Sequence, residues 1–128
     1  MRMLIFIFFT GFSQTSFSQI NTCRSLHEGT FRVVTKEAGT TLIRRTKAVQ
    51  IEENTFLNYK VIFDIIWIND CVYELRPKEV IKGDPSILGD GKNVLTVRIK
   101  GVHKKNYIAE TSANFSNGIV DFEVEILD

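Results

Sequence analysis

From Gly29 onward apolar and polar residues alternate with period two, and almost nothing repeats at the 3.6-residue spacing of a helix. The clearest case is Gly118 to Asp128. Val120, Phe122, Val124 and Ile126 fall on one face and Asp121, Glu123 and Glu125 on the other, the signature of a half-buried strand. Asn93 to Val102 repeats the pattern, with Leu95, Val97 and Ile99 inward and Thr96, Arg98 and Lys100 outward. In Asn58 to Ile68 one face carries Tyr59, Val61, Phe63, Ile65 and Trp67. The other carries Ile62, Ile66 and Ile68, broken by Lys60 and Asp64, which predicts a central strand covered on both sides.

Asn69-Asp70 interrupts that run with residues that tolerate left-handed backbone, as a hairpin turn requires. Alternation resumes at Cys71-Val72-Tyr73-Glu74-Leu75 and is expected to stop at Pro77. Thr30 to Lys36, Thr41 to Thr46 and Ala48 to Glu53 read as earlier strands, with turns near Ala38-Gly39 and Glu53-Asn54, and Tyr107 to Ala113 as a later one. The one long irregular stretch is Pro77 to Lys92, which holds both prolines and three glycines and has room for one helical turn near Lys78 to Ile81. Loops of that length in a compact domain are commonly functional or disordered. About eight short strands with short connections predict an all-β, antiparallel eight-stranded meander closing as a barrel, with a small β-sandwich as the alternative.

The first residues break the pattern. Arg2 is followed by an apolar run, Met3 to Phe9, and then by a polar stretch ending in Ser16-Phe17-Ser18. A basic tip, a short apolar core and a small-x-small site make the layout of a secretory signal peptide. The run falls well short of the roughly 20 residues that span a bilayer, so no transmembrane helix is expected. The predicted organisation is therefore residues 1–18 as signal peptide and 19–128 as a single β domain, exported to the periplasm or secreted. An even pair of cysteines, Cys23 and Cys71, in an exported small domain reads first as a disulfide, closing nearly fifty residues. The alternative is a lipoprotein anchored through Cys23, although Ile20-Asn21-Thr22 are larger and more polar than such a site favours.

Loss of Arg2 with the signal leaves 15 basic and 15 acidic side chains, so no bulk charge draws the domain to nucleic acid or anionic lipid. The dibasic pairs Arg44-Arg45 and Lys104-Lys105 read as solvated strand face or loop. No nucleophile elbow, zincin, CxxC, phosphate-loop or EF-hand pattern is present, so no catalytic residue, metal or cofactor is assigned. His27 and His103, the only histidines, fall outside strands, and Asp84 and Asp90 sit beside Gly and Pro as ordinary turn formers. Glu123 and Glu125 share an outer strand face. Asp64, in the most apolar strand, is expected to pair with a neighbouring Arg or Lys.

The segment Phe63 to Leu75, FDIIWINDCVYEL, together with Cys23 and Gly29-Thr30-Phe31, resembles a group of short exported bacterial proteins of unassigned activity. That group shares a cysteine ahead of G-T-F and a W-x-x-D-C-x-Y-x-L segment, matched here by Trp67, Asp70, Cys71, Tyr73 and Leu75. The resemblance implies a Cys23–Cys71 bridge and no catalytic residue. Some members carry the name "DNA topoisomerase IV subunit", yet this small neutral chain has neither an ATP-binding loop nor a basic DNA channel. Gly29-Thr30-Phe31 is also similar to the G-x-W start of lipocalin-like barrels, with Phe in place of Trp.

The expected fold is thus lipocalin-like in outline, and the expected function non-enzymatic. Phe31, Tyr59, Phe63, Trp67, Tyr73 and Phe122 are the candidate residues for lining a cavity that takes a small apolar ligand, with the Pro77–Lys92 loop over one mouth. The alternative is a filled, disulfide-stapled structural or interaction domain whose partner is an envelope protein.

Overall fold

The computed structural model describes residues 21–128, so the expected signal peptide lies outside the described residues. Eight antiparallel strands form a closed barrel in which each pairs with the next and β8 returns to β1. They are β1 (Gly29–Thr35), β2 (Gly39–Arg45), β3 (Val49–Asn54), β4 (Tyr59–Asn69), β5 (Val72–Lys82), β6 (Leu95–Lys100), β7 (Asn106–Ala113) and β8 (Ser116–Ile126). The period-two pattern accounts for this directly, because each strand turns one set of alternate side chains inward. Phe31, Ile43, Val61, Ile65, Tyr73, Val97, Tyr107 and Val124 form the core from those inward positions.

The two ends of the barrel differ. At one end the N-terminal arm, with a 3-10 turn at Arg24–Leu26, crosses the opening and buries Leu26. A disulfide joins Cys23 of this arm to Cys71 in the β4–β5 turn, with the Cα atoms 5.0 Å apart. The His27 ring stacks on Trp67 at a centroid separation of 3.5 Å, and its Nε2 lies 2.8 Å from the Asp70 carbonyl oxygen. Gly29, at φ 139, lets the chain turn from the arm into β1. A Cβ there would meet the Phe31 ring at 3.3 Å and the Asp128 carbonyl oxygen at 3.4 Å.

The opposite end flares. β1 and β8 pair only at Phe31–Ile126 and Arg32–Glu125, where the Arg32 guanidinium grips the Glu125 carboxylate at 3.0 and 2.8 Å. Beyond Arg32 the strands part, and Val120, on the inward side of β8, stays 54% exposed. β5 and β6 pair over just four positions, Val72 to Leu75 with Leu95 to Arg98.

Three expectations need correction. β5 does not stop at Pro77 but runs to Lys82. Past Leu75 it has no β6 neighbour, so the missing proline N–H leaves no ladder bond to β6 unmade, and register shifts against β4, which leave Lys78 and Ile81 of β5 without a partner, absorb the irregularity. The short helical turn falls at Pro85–Leu88 rather than near Lys78 to Ile81, because Asp84 caps it by accepting from the Ser86 N–H at 2.9 Å. β4 is covered on one side only. Among the described residues nothing packs against the outer side of β4, which leaves Ile66 and Ile68 exposed. Asp64, on that outer face, pairs with Lys78 at 3.7 Å.

Among the described residues no helix is long and apolar enough to cross a membrane. The outer wall carries ion pairs at mid-strand, with Glu110 held between Arg98 and Lys100, and Lys100 reaching Asp121.

Candidate functional site

The β2–β3 hairpin sets Arg45 directly opposite Gln50, both pointing inward. Arg44 and Arg45 therefore do not share a solvated face. Adjacent strand residues point to opposite sides, so Arg44 is exposed and Arg45 only 3% exposed. The Arg45 guanidinium donates from Nε to Gln50 Oε1 (2.8 Å) and from Nη1 to the Leu26 carbonyl oxygen (2.8 Å). From Nη2 it donates to the Tyr73 and Tyr107 hydroxyls (3.1 and 3.0 Å). It also lies over the Phe31 ring at 4.4 Å. Four of its five N–H groups are thus used within the protein, and the cluster ties the plugging arm to four strands, β2, β3, β5 and β7. Burial pushes the Tyr73 hydroxyl far above its ordinary pKa, although the Arg45 charge opposes the shift, so Tyr73 stays a neutral hydroxyl.

Above this cluster the barrel is hollow. A cavity of about 370 Å³ runs from the Arg45 floor to the flared rim. Its wall is mainly apolar: Ile43, Leu75, Val97, Ala109, Phe122 and Val124 face it, with Thr35, Ala38 and Tyr59 toward the rim. One strip of the wall is polar. β3 turns Gln50, Glu52 and Asn54 inward.

Asn54, 1% exposed, is fully occupied: its Nδ2 donates to the Ala38 carbonyl oxygen and Thr41 Oγ1, and its Oδ1 accepts from the Leu57 N–H. It clamps two rim turns together. Glu52 lines the cavity and is less enclosed than its neighbours. Its Oε2 accepts from Gln50 Nε2 at 2.8 Å. Burial raises the Glu52 pKa, and this outweighs the Gln50 hydrogen bond and the Arg45 charge, both of which lower it.

Of the residues singled out from sequence, Tyr59, Tyr73 and Phe122 line this cavity. Phe31 and Phe63 are packed into the core, Phe31 beneath the Arg45 plane. Trp67 sits near the plug between His27 and Tyr73, its Nε1 buried without a hydrogen-bond partner. Sequence reading missed Arg45, Gln50 and Glu52. Their signal was parity: Thr41, Ile43 and Arg45 are alternate residues of β2, more buried than the Thr40, Leu42 and Arg44 between them, and Gln50, Glu52 and Asn54 are alternate residues of β3.

Apolar side chains stand exposed around the rim. Phe56, 70% exposed, lies over Gly39, and Phe115 and Ile87 project from neighbouring loops. The chain matches no family model, no curated protein and no solved structure among those compared. Fold and cavity therefore define its class: a disulfide-linked, closed eight-stranded β-barrel, lipocalin-like in outline.

Proposed function

We propose that this protein is an exported, non-enzymatic carrier that holds one small, mainly apolar molecule inside its barrel. The observation that carries this reading is the hollow above Arg45. At about 370 Å³ it falls in the lower part of the ~300–1,000 Å³ range of ligand pockets, and it has their mix of apolar wall and few polar groups. The apolar rim offers a route in, since a hydrophobic solute meets Phe56 and Phe115 before the cavity. The signal-like first residues and the disulfide support export to an oxidising compartment. A Cys23 lipid anchor would need the sulfur that the disulfide occupies.

Titration of the domain with N-phenyl-1-naphthylamine, an uncharged dye that brightens in apolar surroundings, tests the reading. Saturable one-to-one enhancement is expected. Absence of saturation favours the rival, a structural or interaction domain that works through its rim.

A further inference from the structure

We infer that the ligand carries a hydrogen-bond donor, a hydroxyl or an amine on a short apolar body, which docks on the Glu52 carboxylate. This rests on the carrier reading and adds the polarity of the ligand to it. The polar groups that line the hollow are nearly all engaged within the protein. Arg45, the one cation among them, already serves four neutral acceptors in the protein and lies in the floor. Tyr73 and Tyr107 are 2% and 0% exposed and are held by the same guanidinium. Asn54 and Thr41 bond one another, and Thr35 Oγ1 accepts from the Ala38 N–H. Tyr59 and Thr111 bring hydroxyls to the wall, and a hydroxyl serves a donor or an acceptor alike, so neither sets a preference. Gln50, 2% exposed, is fixed between Arg45 and Glu52.

Glu52 is different. It is the only acid lining the cavity; its Oε2 takes the Gln50 bond, and its Oε1 has no protein partner among the described residues. The open oxygen faces the hollow, where solvent reaches it; a ligand that displaces that water leaves the carboxylate short of a donor unless its own O–H or N–H takes the place. Gln50 holds the carboxyl in place, and the apolar wall of Leu95, Phe122 and Val124 takes the rest of the molecule. A ligand carboxylate meets the opposite situation: the nearest charge is Glu52 itself, and the guanidinium that might receive it is already engaged. The size of the hollow selects a short body, of the order of a medium-length alkyl chain.

The experiment competes decanol, decylamine and decanoate, which share a chain and differ in head group, against the bound uncharged dye. Decanol and decylamine are expected to displace it at concentrations at least about tenfold below decanoate. In Glu52→Gln, decylamine loses its advantage over decanoate. Decanoate equal to or tighter than the two donors in the native protein overturns the donor assignment and leaves the carrier reading standing. Failure of the dye itself to bind overturns the carrier reading and this inference with it. The order of the three head groups on the native protein decides the matter without any variant.

Discussion

Arg45 donates from Nε to Gln50 Oε1 at 2.8 Å across the β2–β3 hairpin, and this contact joins the closed end of the barrel to the polar strip of its cavity. On one side the guanidinium holds the plugging arm through the Leu26 carbonyl. On the other, Gln50 passes its own amide to Glu52. A buried cation with neutral partners is costly to desolvate, so its retention in a small barrel reflects how many acceptors it satisfies at once.

Replacing Arg45 by Met keeps the bulk and strands those acceptors, among them the Leu26 carbonyl and Gln50 Oε1. The expected loss is about 3 kcal/mol, from several buried polar groups left unpaired. Arg45→Lys should also destabilise, because an ammonium lacks the planar fork that reaches four acceptors and stacks on Phe31. Urea unfolding followed by tryptophan fluorescence measures both, and an unchanged midpoint for Arg45→Met contradicts the role given to the cluster.

The Cys23–Cys71 bridge closes 48 residues and holds the arm against the β4–β5 turn. In the chain-entropy model a loop of that size contributes about 4 kcal/mol. The double substitution Cys23→Ala, Cys71→Ala should lose most of that and speed amide exchange in Arg24–Leu26 first. Two free thiols titrated in the unfolded, unreduced protein would contradict the bridge.

Glu52 gives a pH prediction with an unusual sign. Its folded-state pKa lies above the ordinary carboxylate value because burial disfavours the anion. The folded protein therefore holds the Glu52 proton more tightly than the unfolded chain does. This contribution favours folding at low pH and is lost as pH rises from the unfolded glutamate value, about 4.3, through the folded one. Glu52→Gln, which keeps an acceptor for Gln50, should unfold at higher temperature than the native protein at pH 7, and the gain should vanish below about pH 4. Thermal scans across that range check it, and a variant less stable than the native protein at pH 7 contradicts it.

Asn54 binds the two rim turns through Ala38 and Leu57. Asn54→Ala should cost about 2 kcal/mol, in the range for buried polar groups left without partners. It should also accelerate dye entry while leaving the floor intact. Stopped-flow mixing reads the entry rate, and a rate equal to the native one would show that these turns do not limit access.

The order of the strands was legible because a barrel of this size needs little beyond period-two alternation and tight turns, and Gly118 to Asp128 displays both. What the sequence concealed were departures from local rules with a non-local cause. Pro77 sits within a strand because β6 begins too late to pair there. Val120 alternates as an inward residue but stays exposed because β1 has diverged from β8. The site was harder to see. Aromatic residues suggest cavity lining, yet Phe31 and Phe63 fill the core, and Arg45, which anchors the polar side of the hollow, reads from sequence as part of a solvated pair. Whether a charged residue at an inward position is a register break or a buried group depends on the partner strand, which the sequence alone does not name.

Whether the ligand sits inside the barrel is read by nuclear magnetic resonance of the methyl-labelled domain titrated with decanol. Ala109, Thr111, Val97 and Val124 line the cavity, whereas Ile66 and Ile68 project outward. Saturable shifts, with contacts to the alkyl chain, are expected in the first set alone, and are expected to be lost in Thr111→Trp, where the indole occupies the hollow. Shifts confined to Ile66, Ile68 or the rim phenylalanines, or no saturable shift at all, would contradict binding inside the barrel.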